Sequence, residues 1–407
     1  MSKKYKTILA PMMLPIHFSI YEKVMRYHDY NIVILKNTSP TIIEEGLKYV
    51  HNDTCYPALV VIGQIIEALK SGQYDLETTA VTITQTGGGC RASNYLNLLR
   101  KALKRAGFGQ VKVLSLNFYG MEKGNSIELT PLIIVKLLAA SLYGDLIMHL
   151  SNQIRPYEIN KGDTDRTISQ CAELMAEKIN HHKGYRKRNI RKNSEWIVKK
   201  FNEIEIVKKD LIKVGIVGEI FVKFSNIGNN NLEEFLHNEE TEIRVPGMMG
   251  FINYIISQKF DQVELYGGKW YIKRIAKILY WYTTWLEKDL NYAIKKHSKF
   301  DPIIQFDEVR KTAKNICGLG IIMGEGWLLA GEMLTLCLEG FENIVCTQPF
   351  GCLPNHIVGK GMIKRIKELY PNANIAAIDY DPSATKVNQE NRIKLMLSVA
   401  KEKQNNI

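Results

Sequence analysis

At 407 residues the chain is too long for one ordinary hydrophobic core, so we expect two domains of about 100–200 residues each. Its 45% hydrophobic and 24% charged residues are typical of a soluble globular protein. No apolar run approaches the ~20 residues needed to cross a bilayer. We therefore expect a cytoplasmic protein with no membrane partner. The net charge of +12 comes largely from the basic run 181–200. No nucleic-acid-binding motif accompanies this run, so we expect no nucleic-acid partner. We interpret the run as a solvated helix or linker, and the alternative is a docking surface for an acidic partner or a phosphorylated ligand.

The first part of the chain alternates short β-branched runs with helix-length segments. The predicted strands are 6–10, 31–35, 78–84 and 111–117. The predicted helices are 17–28, "PALVVIGQIIEALKSG" (57–72) and "RASNYLNLLRKALKRAGFG" (91–109). Strands that alternate with helices of this length are typical of a parallel sheet covered by helices on both faces. Residues 1–150 are therefore predicted to form an N-terminal α/β lobe.

A helical, basic connecting segment is predicted over 151–208, and a second α/β lobe over 209–407. The strands of that lobe are predicted at 213–222, 344–348 and 374–380, and its helices at 324–341 and 383–403. Asp381 is predicted to cap the last helix. A helical insertion over 247–310 carries an aromatic stripe that includes Trp270, Trp281 and Trp285, which we interpret as core or as a subunit interface. The predicted fold class is α/β, with two doubly wound parallel-sheet lobes and helical insertions.

Four of the seven cysteines fall in loops beside predicted strands and helices. An odd number of cysteines in a chain of this size argues against a disulfide framework. Cys55 precedes a helix, Cys90 follows a strand, and Cys346 and Cys352 flank the turn "QPFG". Ligands of open α/β sheets collect outside the carboxyl ends of the strands, and helix N-termini there favour thiolates. We therefore expect a site in the cleft between the lobes.

The spacing of these cysteines favours an iron–sulfur cluster over zinc. Zinc sites are typically built from close Cys-x2-Cys pairs, whereas cluster thiolates can come from distant parts of a chain. Gly88 and Gly89 would let the backbone approach a cluster closely and keep its amide hydrogen bonds accessible. Cys171 and Cys337 lie in helical patterns and are predicted to be buried apolar residues, while the role of Cys317 stays open.

Two further residues are candidates for acid–base chemistry at this cleft. Glu219 follows a predicted strand, and is interpreted either as a cluster neighbour and proton donor or as a buried structural carboxylate. His356 follows the last cysteine loop, and its ordinary pKa near 6.5 suits a general acid, with a structural histidine as the alternative. No phosphate-binding loop is present in the sequence, so we expect no ATP site on this chain.

Six stretches of the sequence resemble the 2-hydroxyacyl-CoA dehydratase superfamily, closest to its branch related to acyl-CoA dehydratase activases. They are "NDTCYP" (52–57), "GGGCRASNY" (87–95), "GEIFVKFSNIGNNNLEEFL" (218–236), "GEGWLLAGEM" (324–333), "QPFGCLPNHIVGKGMIKRIKELYP" (348–371) and "DYDPSATKVNQENRIKLML" (379–397). The stretches span nearly the whole chain. The resemblance implies flavodoxin-like lobes that enclose an oxygen-sensitive iron–sulfur cluster in an anaerobic cytoplasm.

The resemblance also implies a chemistry and partners. Cys55, Cys90 and Cys352 would bind a 4Fe-4S cluster, with Cys346 as the fourth candidate. An ATP-hydrolysing activase with its own 4Fe-4S cluster would deliver low-potential electrons for radical dehydration or reduction of a small substrate. Some relatives carry a double-cubane (8Fe-9S) cluster, so one alternative function is that of a small-molecule reductase with such a cluster. A second alternative is a non-catalytic subunit that holds a cluster and relays electrons. The chain would form a homo- or hetero-oligomer with a related subunit.

Overall fold

The computed structural model describes residues 5–51, 53–84, 89–116 and 126–405, and in them the chain forms two parallel four-stranded sheets. The N-terminal sheet has the order β2-β1-β3-β4, with β1 Thr7–Ala10, β2 Ile32–Ile34, β3 Thr79–Thr84 and β4 Lys112–Leu116. The C-terminal sheet has the order β6-β5-β7-β8, with β5 Ile212–Gly218, β6 Thr241–Arg244, β7 Asn343–Pro349 and β8 Asn374–Tyr380. The predicted α/β class with two doubly wound parallel sheets is confirmed.

Helices pack on both sheets, and some of them also pack against one another around α5. Those of the first lobe are α1 Pro15–Tyr27, α2 Thr41–Tyr49, α3 Tyr56–Lys70 and α4 Tyr95–Arg105. They are followed by α5 Pro131–Ile154, α6 Asp163–Asn180 and α7 Lys187–Asn202. The second lobe contains α8 Ile220–Phe224, α9 Leu232–Asn238, α10 Met248–Tyr266, α11 Trp270–His297, α12 Phe306–Ala313, α13 Trp327–Leu338, α14 Ile363–Leu369 and α15 Lys386–Asn405.

The two sheets share one topology, and this fixes where a site can form. In both, the chain crosses from one side of the first strand to the other, so the strand order reverses between β1 and β3 and again between β5 and β7. A crevice opens at such a reversal, outside the carboxyl ends of the strands. Each lobe therefore presents one crevice, and the loops after β3 and β7 carry Cys90 and Cys352.

The central helix of the structure is α5. Pro131 occupies its first turn, and the hydroxyl of Thr130 accepts the backbone N–H of Ile133. By length and composition α5 could cross a membrane, but 67% of its most apolar window is buried inside the protein. It also carries buried polar residues, among them Asp145 and His149. We conclude that α5 is the core helix of a globular protein, with α1, α6, α7, α10 and α11 packed around it.

Three sequence predictions differ from the structure in detail. Strand β5 ends at Gly218 rather than continuing to 222, because Gly218 has a φ of +137° and the chain turns there into the short helix α8. Strand β6 was not predicted. Helix α15 begins at Lys386, because the carboxylate of Asp381 caps a turn by accepting the backbone N–H groups of Ser383 and Ala384.

The aromatic stripe and the basic run lie side by side on the surface. Trp270 and Trp281 are 71% and 60% exposed, so the interpretation of the stripe as core is wrong. The basic run forms the turn after α6 and most of α7. Helix α7 buries Ile197 and Phe201 against α5 and turns its lysines outward. Its interpretation as a solvated helix agrees with this arrangement.

A buried carboxylate next to α5 makes the stability of the fold depend on pH. Glu287 on α11 accepts a hydrogen bond from the side-chain amide of Asn253, 2.8 Å away. Burial, with a further contribution from the charge of Asp145, raises the pKa of Glu287 to about 8. Because an ordinary glutamate titrates near 4.5, the folded state binds this proton more tightly than the unfolded chain does. The free energy of unfolding therefore falls as the pH rises from ~4.5 to ~8.

We expect Glu287→Gln to remove this pH dependence. Glutamine keeps the acceptor for Asn253 but cannot ionise, so the variant should be more stable than the wild type at pH 8, on the order of 2 kcal/mol, and similar to it near pH 5. Denaturant unfolding at the two pH values measures the difference. Glu308→Gln, at an exposed position on α12, is the control and should show no such change. Equal effects of Glu287→Gln at both pH values would contradict the prediction.

Candidate functional site

The loops that carry Cys55 and Cys352 touch each other across the interface between the lobes. The backbone N–H of Tyr56 donates to the carbonyl of Phe350, with an N···O distance of 3.0 Å. Next to that bond, Gly351 adopts a φ of +71°, and a Cβ atom placed on it would lie 3.2 Å from the Cα of Cys55. Glycine is thus needed at 351 both for its backbone conformation and for the close approach.

Cys55 lies at the N-terminus of α3 and is buried. Pro57 occupies the first turn of that helix, which the sequence "CYP" indicates. The hydroxyl oxygen of Tyr95, at the start of α4, is 2.9 Å from the Sγ atom of Cys55. Burial raises the pKa of the Cys55 thiol, and the contact with Tyr95 partly offsets that rise. The position at a helix N-terminus and the hydroxyl contact both suit a thiolate ligand.

Cys90 precedes a single 3-10 turn, Arg91–Asn94, that leads directly into α4. It is partly exposed, whereas Cys55 and Cys352 are buried. The neighbouring Gly89 lies against a loop of the other lobe, since a Cβ atom on it would be 2.6 Å from the Sδ atom of Met323. Gly89 therefore permits a close contact between the lobes, whereas Gly88 lies outside the described residues.

The electrostatics of Cys90 show which groups surround it. Burial, together with the charges of Glu325, Glu219 and Cys55, raises the pKa of its thiol to about 11. Two of these groups come from the C-terminal lobe and one from the N-terminal lobe. The side chain of Cys90 is therefore close to acidic groups of both lobes, and it would need a cation nearby to be a stable thiolate.

Cys352 follows β7 in the glycine-containing turn and is buried. The side-chain amide of Asn355 donates a hydrogen bond to its Sγ atom, with an N···S distance of 3.2 Å. Burial raises the pKa of the Cys352 thiol well above its ordinary value, and the charges of Glu325 and Glu219 add to the rise. The Oδ1 atom of Asn355 is fully buried and has no hydrogen-bond partner among the described residues.

Glu219 and Glu325 are a pair of carboxylates held by backbone N–H groups. Glu219 follows β5 and accepts the N–H of Val222 at 2.8 Å, which caps α8. Glu325 accepts the N–H of Ile220 at 3.0 Å, and its other oxygen faces the amide of Asn355 at 3.4 Å. Burial raises the pKa of both carboxyl groups, that of Glu219 to about 8 with the charge of Glu325 as the second cause.

Five acidic groups therefore converge at the contact between the lobes: Cys55, Cys90, Cys352, Glu219 and Glu325. A buried lysine, Lys223, partly balances them, since its charge lowers the pKa of both glutamates. Its ammonium nitrogen is nevertheless 3.4 Å from a third buried carboxylate, Glu332. The charge of Arg91 likewise lowers the pKa of the Cys55 thiol. These two cations cannot neutralise all five acidic groups and Glu332, and buried charges are stable only when they are paired or bind metal.

Cys55, Cys90 and Cys352 are the residues of this site that could hold a metal cluster. In the described part of the chain, no three His, Cys, Asp or Glu side chains come close enough to hold one metal ion. A cubane cluster does not require this, because each thiolate binds a different iron at a corner of the cube. Three thiols on separate loops, with hydrogen bonds to two of them from Tyr95 and Asn355, provide ligands and supporting contacts of that kind.

Other predicted site residues lie elsewhere. Cys346 is in the middle of β7, not in the turn after it, and strand alternation turns its side chain into the core of the C-terminal lobe. Burial raises the pKa of its thiol to about 12, and its nearest charges are Asp379 and Glu332 rather than the paired glutamates. This placement does not support Cys346 as the fourth ligand. His356 is exposed, and no described polar contact joins its ring to the three cysteines.

The remaining cysteines do not join this group. Cys171 and Cys337 are fully buried in α6 and α13, as predicted. Cys317 is partly buried and packs near Trp327, in a separate apolar cluster.

Three residues of the site were not singled out from the sequence: Tyr95, Glu325 and Asn355. All three fall inside the stretches that carry the family resemblance. A local signal existed for Glu325, since it stands between Gly324 and Gly326, which both have positive φ. Two such glycines around one carboxylate indicate a loop shaped to orient it. Nothing local marks Tyr95, whose contact with Cys55 joins residues 40 positions apart.

We expect Tyr95→Phe to weaken any metal cluster held by Cys55 without abolishing it. The variant keeps the aromatic ring but loses the hydroxyl contact to the sulfur, and loss of such a supporting contact typically costs about 10–100-fold in metal affinity. Release of iron to a chelator, followed under anaerobic conditions, measures the effect. Tyr27→Phe, at a 51% exposed position on α1, is the matched control. Equal release rates in the two variants would contradict the prediction.

The comparisons with known proteins do not extend this description. A scan against protein-family models gives no match for the chain, and a search of curated proteins finds no significantly similar sequence.

Proposed function

We propose that the chain is an iron–sulfur protein of the 2-hydroxyacyl-CoA dehydratase type. In this proposal Cys55, Cys90 and Cys352 bind a 4Fe-4S cluster in the cleft. An ATP-hydrolysing activase delivers low-potential electrons for radical dehydration or reduction of a small substrate, in an anaerobic cytoplasm. The observation that supports it is the convergence of three thiols from both lobes with two buried carboxyl groups.

The roles of the protein groups follow from their positions. The three thiolates hold the cluster, and its iron charge compensates acidic groups whose pKa values are raised by burial. Asn355 and Tyr95 orient two of the sulfurs through hydrogen bonds. Such bonds and burial are the means by which a protein tunes the reduction potential of a cluster.

Three thiolates leave the fourth corner of a cubane without a protein ligand. When bound, the cluster supplies one-electron reduction and a Lewis-acid iron for a substrate oxygen. Glu219 lies at this cleft, and burial together with the charge of Glu325 raises the pKa of its carboxyl group. We assign it the role of proton donor or acceptor toward the substrate. His356 is exposed, and we assign it no role in this proposal.

The two alternatives make different demands on ligands. A double-cubane cluster is held by six thiolates, and an electron-relay cluster by four protein ligands with no open iron. Three converging cysteines per chain favour the single cubane with an open corner. A double cubane shared between two chains would obtain six thiolates, so the iron content per chain and the oligomeric state have to be measured together.

The test is anaerobic purification followed by iron and sulfide analysis. We expect about four irons and four sulfides per chain, and a brown protein with broad visible absorbance. Turnover of 2-hydroxyacyl thioesters with a reduced activase and ATP would then establish the enzyme class. About zero iron in freshly made protein, or zinc in its place, would remove the proposal. A fully loaded cluster that never turns over a thioester would favour the electron relay.

A further inference from the structure

The first half of α11 carries an apolar seam that faces solvent. Tyr271, Ile275, Ile278, Tyr282 and Trp285 follow one another at intervals of 4, 3, 4 and 3 residues. This is the spacing of the a and d positions of a heptad repeat, which in coiled coils marks the contact with another helix. The five side chains lie on one face of α11, which is continuous over residues 270–297.

Most of this face has no partner within the described part of the chain. Ile275 and Ile278 are 55% and 57% exposed, and Ala276 on the opposite face is buried against the protein. Towards its C-terminus the seam is covered, since Lys187 on α7 lies 3.6 Å from the ring centre of Trp285. Beyond it, Arg191 stacks 3.7 Å from the ring of Tyr292. The uncovered part of the seam, from Tyr271 to Tyr282, is therefore about three helical turns long.

The exposed apolar area of the seam and of the residues around it on α11 and at the end of α10 is that of a protein interface. Ten apolar side chains between residues 265 and 285 are at least one-third exposed: Leu265, Tyr266, Trp270, Tyr271, Ile272, Ile275, Ile278, Leu279, Trp281 and Trp285. Together they expose on the order of 1,000 Å², taking ~150–250 Å² for each aromatic side chain and somewhat less for each aliphatic one. The largest apolar patch of a typical monomer is ~300–600 Å², and a standard interface buries ~800 Å² per partner.

We propose that this seam pairs with the seam of a second copy of the chain, with the two α11 helices antiparallel. The 4-3-4 spacing of Tyr271, Ile275, Ile278 and Tyr282 reads the same in both directions. With a two-fold axis between residues 276 and 277, Ile275 of each copy faces Ile278 of the other. In the same register, Tyr271 faces Tyr282. A surface that is complementary to itself in this way suits a symmetric homodimer.

The antiparallel direction follows from where the rest of the protein lies. Helix α7 covers α11 from Trp285 onward, so the bulk of each copy is at the C-terminal end of the seam. A parallel pair would bring these two masses to the same end, whereas an antiparallel pair separates them. Antiparallel helices also set opposite ends of their dipoles side by side.

The charges at the seam give the dimer a recognisable salt dependence. Lys273 and Lys277 lie on the side of α11 away from the seam, and only Arg274 borders it. These positions carry one sign of charge, so two copies repel weakly at their rims. Added salt screens this repulsion, and we expect the dimer to be as tight or tighter at high salt. An acidic protein or an anionic membrane surface on the same face would instead bind more weakly as salt rises.

The experiment measures the oligomeric state of the purified full-length chain by sedimentation equilibrium and light scattering. The wild type is expected to be a dimer, and Ile278→Glu to dissociate about 100-fold more readily because it opposes an isoleucine with a charge. Ile275→Lys should do the same. Mixing the two variants should restore a heterodimer, since the introduced lysine of one copy then faces the introduced glutamate of the other. Leu395→Glu, at a 68% exposed position on α15, is the control and should remain dimeric.

Several outcomes would overturn the proposal, and none depends on whether a cluster is bound. They are a monomeric wild type, a dimer unaffected by Ile278→Glu, and a mixture of the two variants that stays monomeric. Thermal melts check that each variant is folded, as expected for substitutions at exposed positions. Binding of a monomeric wild type to phosphatidylglycerol vesicles, lost at high salt, would assign the face to a lipid surface instead.

Discussion

Replacing Cys55, Cys90 or Cys352 with alanine is expected to strip the cluster from the protein. Anaerobically purified variants should retain about a tenth or less of the iron of the wild type, and their visible absorbance should fall in proportion. Each substitution removes one of only three protein ligands. A cubane held by two thiolates has two open corners, so it is lost to solvent or chelators.

The same substitution at Cys346 is the matched control. Cys346 is fully buried but lies inside β7, so Cys346→Ala should keep its iron while losing some stability from the vacated space. If Cys346→Ala loses iron as completely as the other three variants, it is a ligand after all. If Cys55→Ala, Cys90→Ala and Cys352→Ala all keep their iron, the centre proposed here does not exist.

The parts of the fold that the sequence predicts well are those set by local pattern. The parallel sheets follow from β-branched runs spaced by helix-length segments, because a strand buried on both faces needs a continuous apolar run. The start of helix α3 directly after Cys55 is also predictable, because the sequence "CYP" places a proline in the first turn of the helix. Such features need no knowledge of distant residues.

The features that the sequence does not predict depend on distant partners. Strand β6 consists of "TEIR", whose Glu242 and Arg244 are both buried, although charged residues usually indicate exposure. Glu242 accepts a hydrogen bond from the hydroxyl of Tyr157, and Arg244 pairs with Asp301 at 3.1 Å. These partners are 85 and 57 residues away. A pattern read along the chain cannot supply them.

The candidate site shows the same division. The loops that carry Cys90 and Cys352 are predictable from the rule that sites form outside the carboxyl ends of parallel strands. Cys346 lies inside both the predicted strand 344–348 and β7, but the packing of its side chain in the core of the C-terminal lobe depends on residues that are distant in the sequence. The pairing of Glu219 with Glu325 depends on residues 106 positions apart, which meet only when the second lobe has folded.

Gly351→Ala should test whether the contact between the lobes is needed to hold the cluster. An alanine at 351 would be strained by the φ of +71°. Its Cβ atom would also crowd the backbone of Cys55, at 3.2 Å from the Cα atom. The expected results are a loss of about 1–2 kcal/mol of stability from the backbone conformation and a loss of most of the bound iron. The iron is lost because the loops of Cys55 and Cys352 are moved apart.

Gly72→Ala separates these two effects. Gly72 has a φ of +73°, but no described atom lies within 4 Å of the position its Cβ would take, so the substitution introduces the strain without the crowding. Its variant should lose similar stability, by denaturant unfolding, and keep its iron. If both variants bind iron equally, the close approach at Gly351 serves only folding. If Gly351→Ala alone loses iron, the cluster depends on the two lobes remaining in contact at Cys55, which a cofactor held by one lobe would not require.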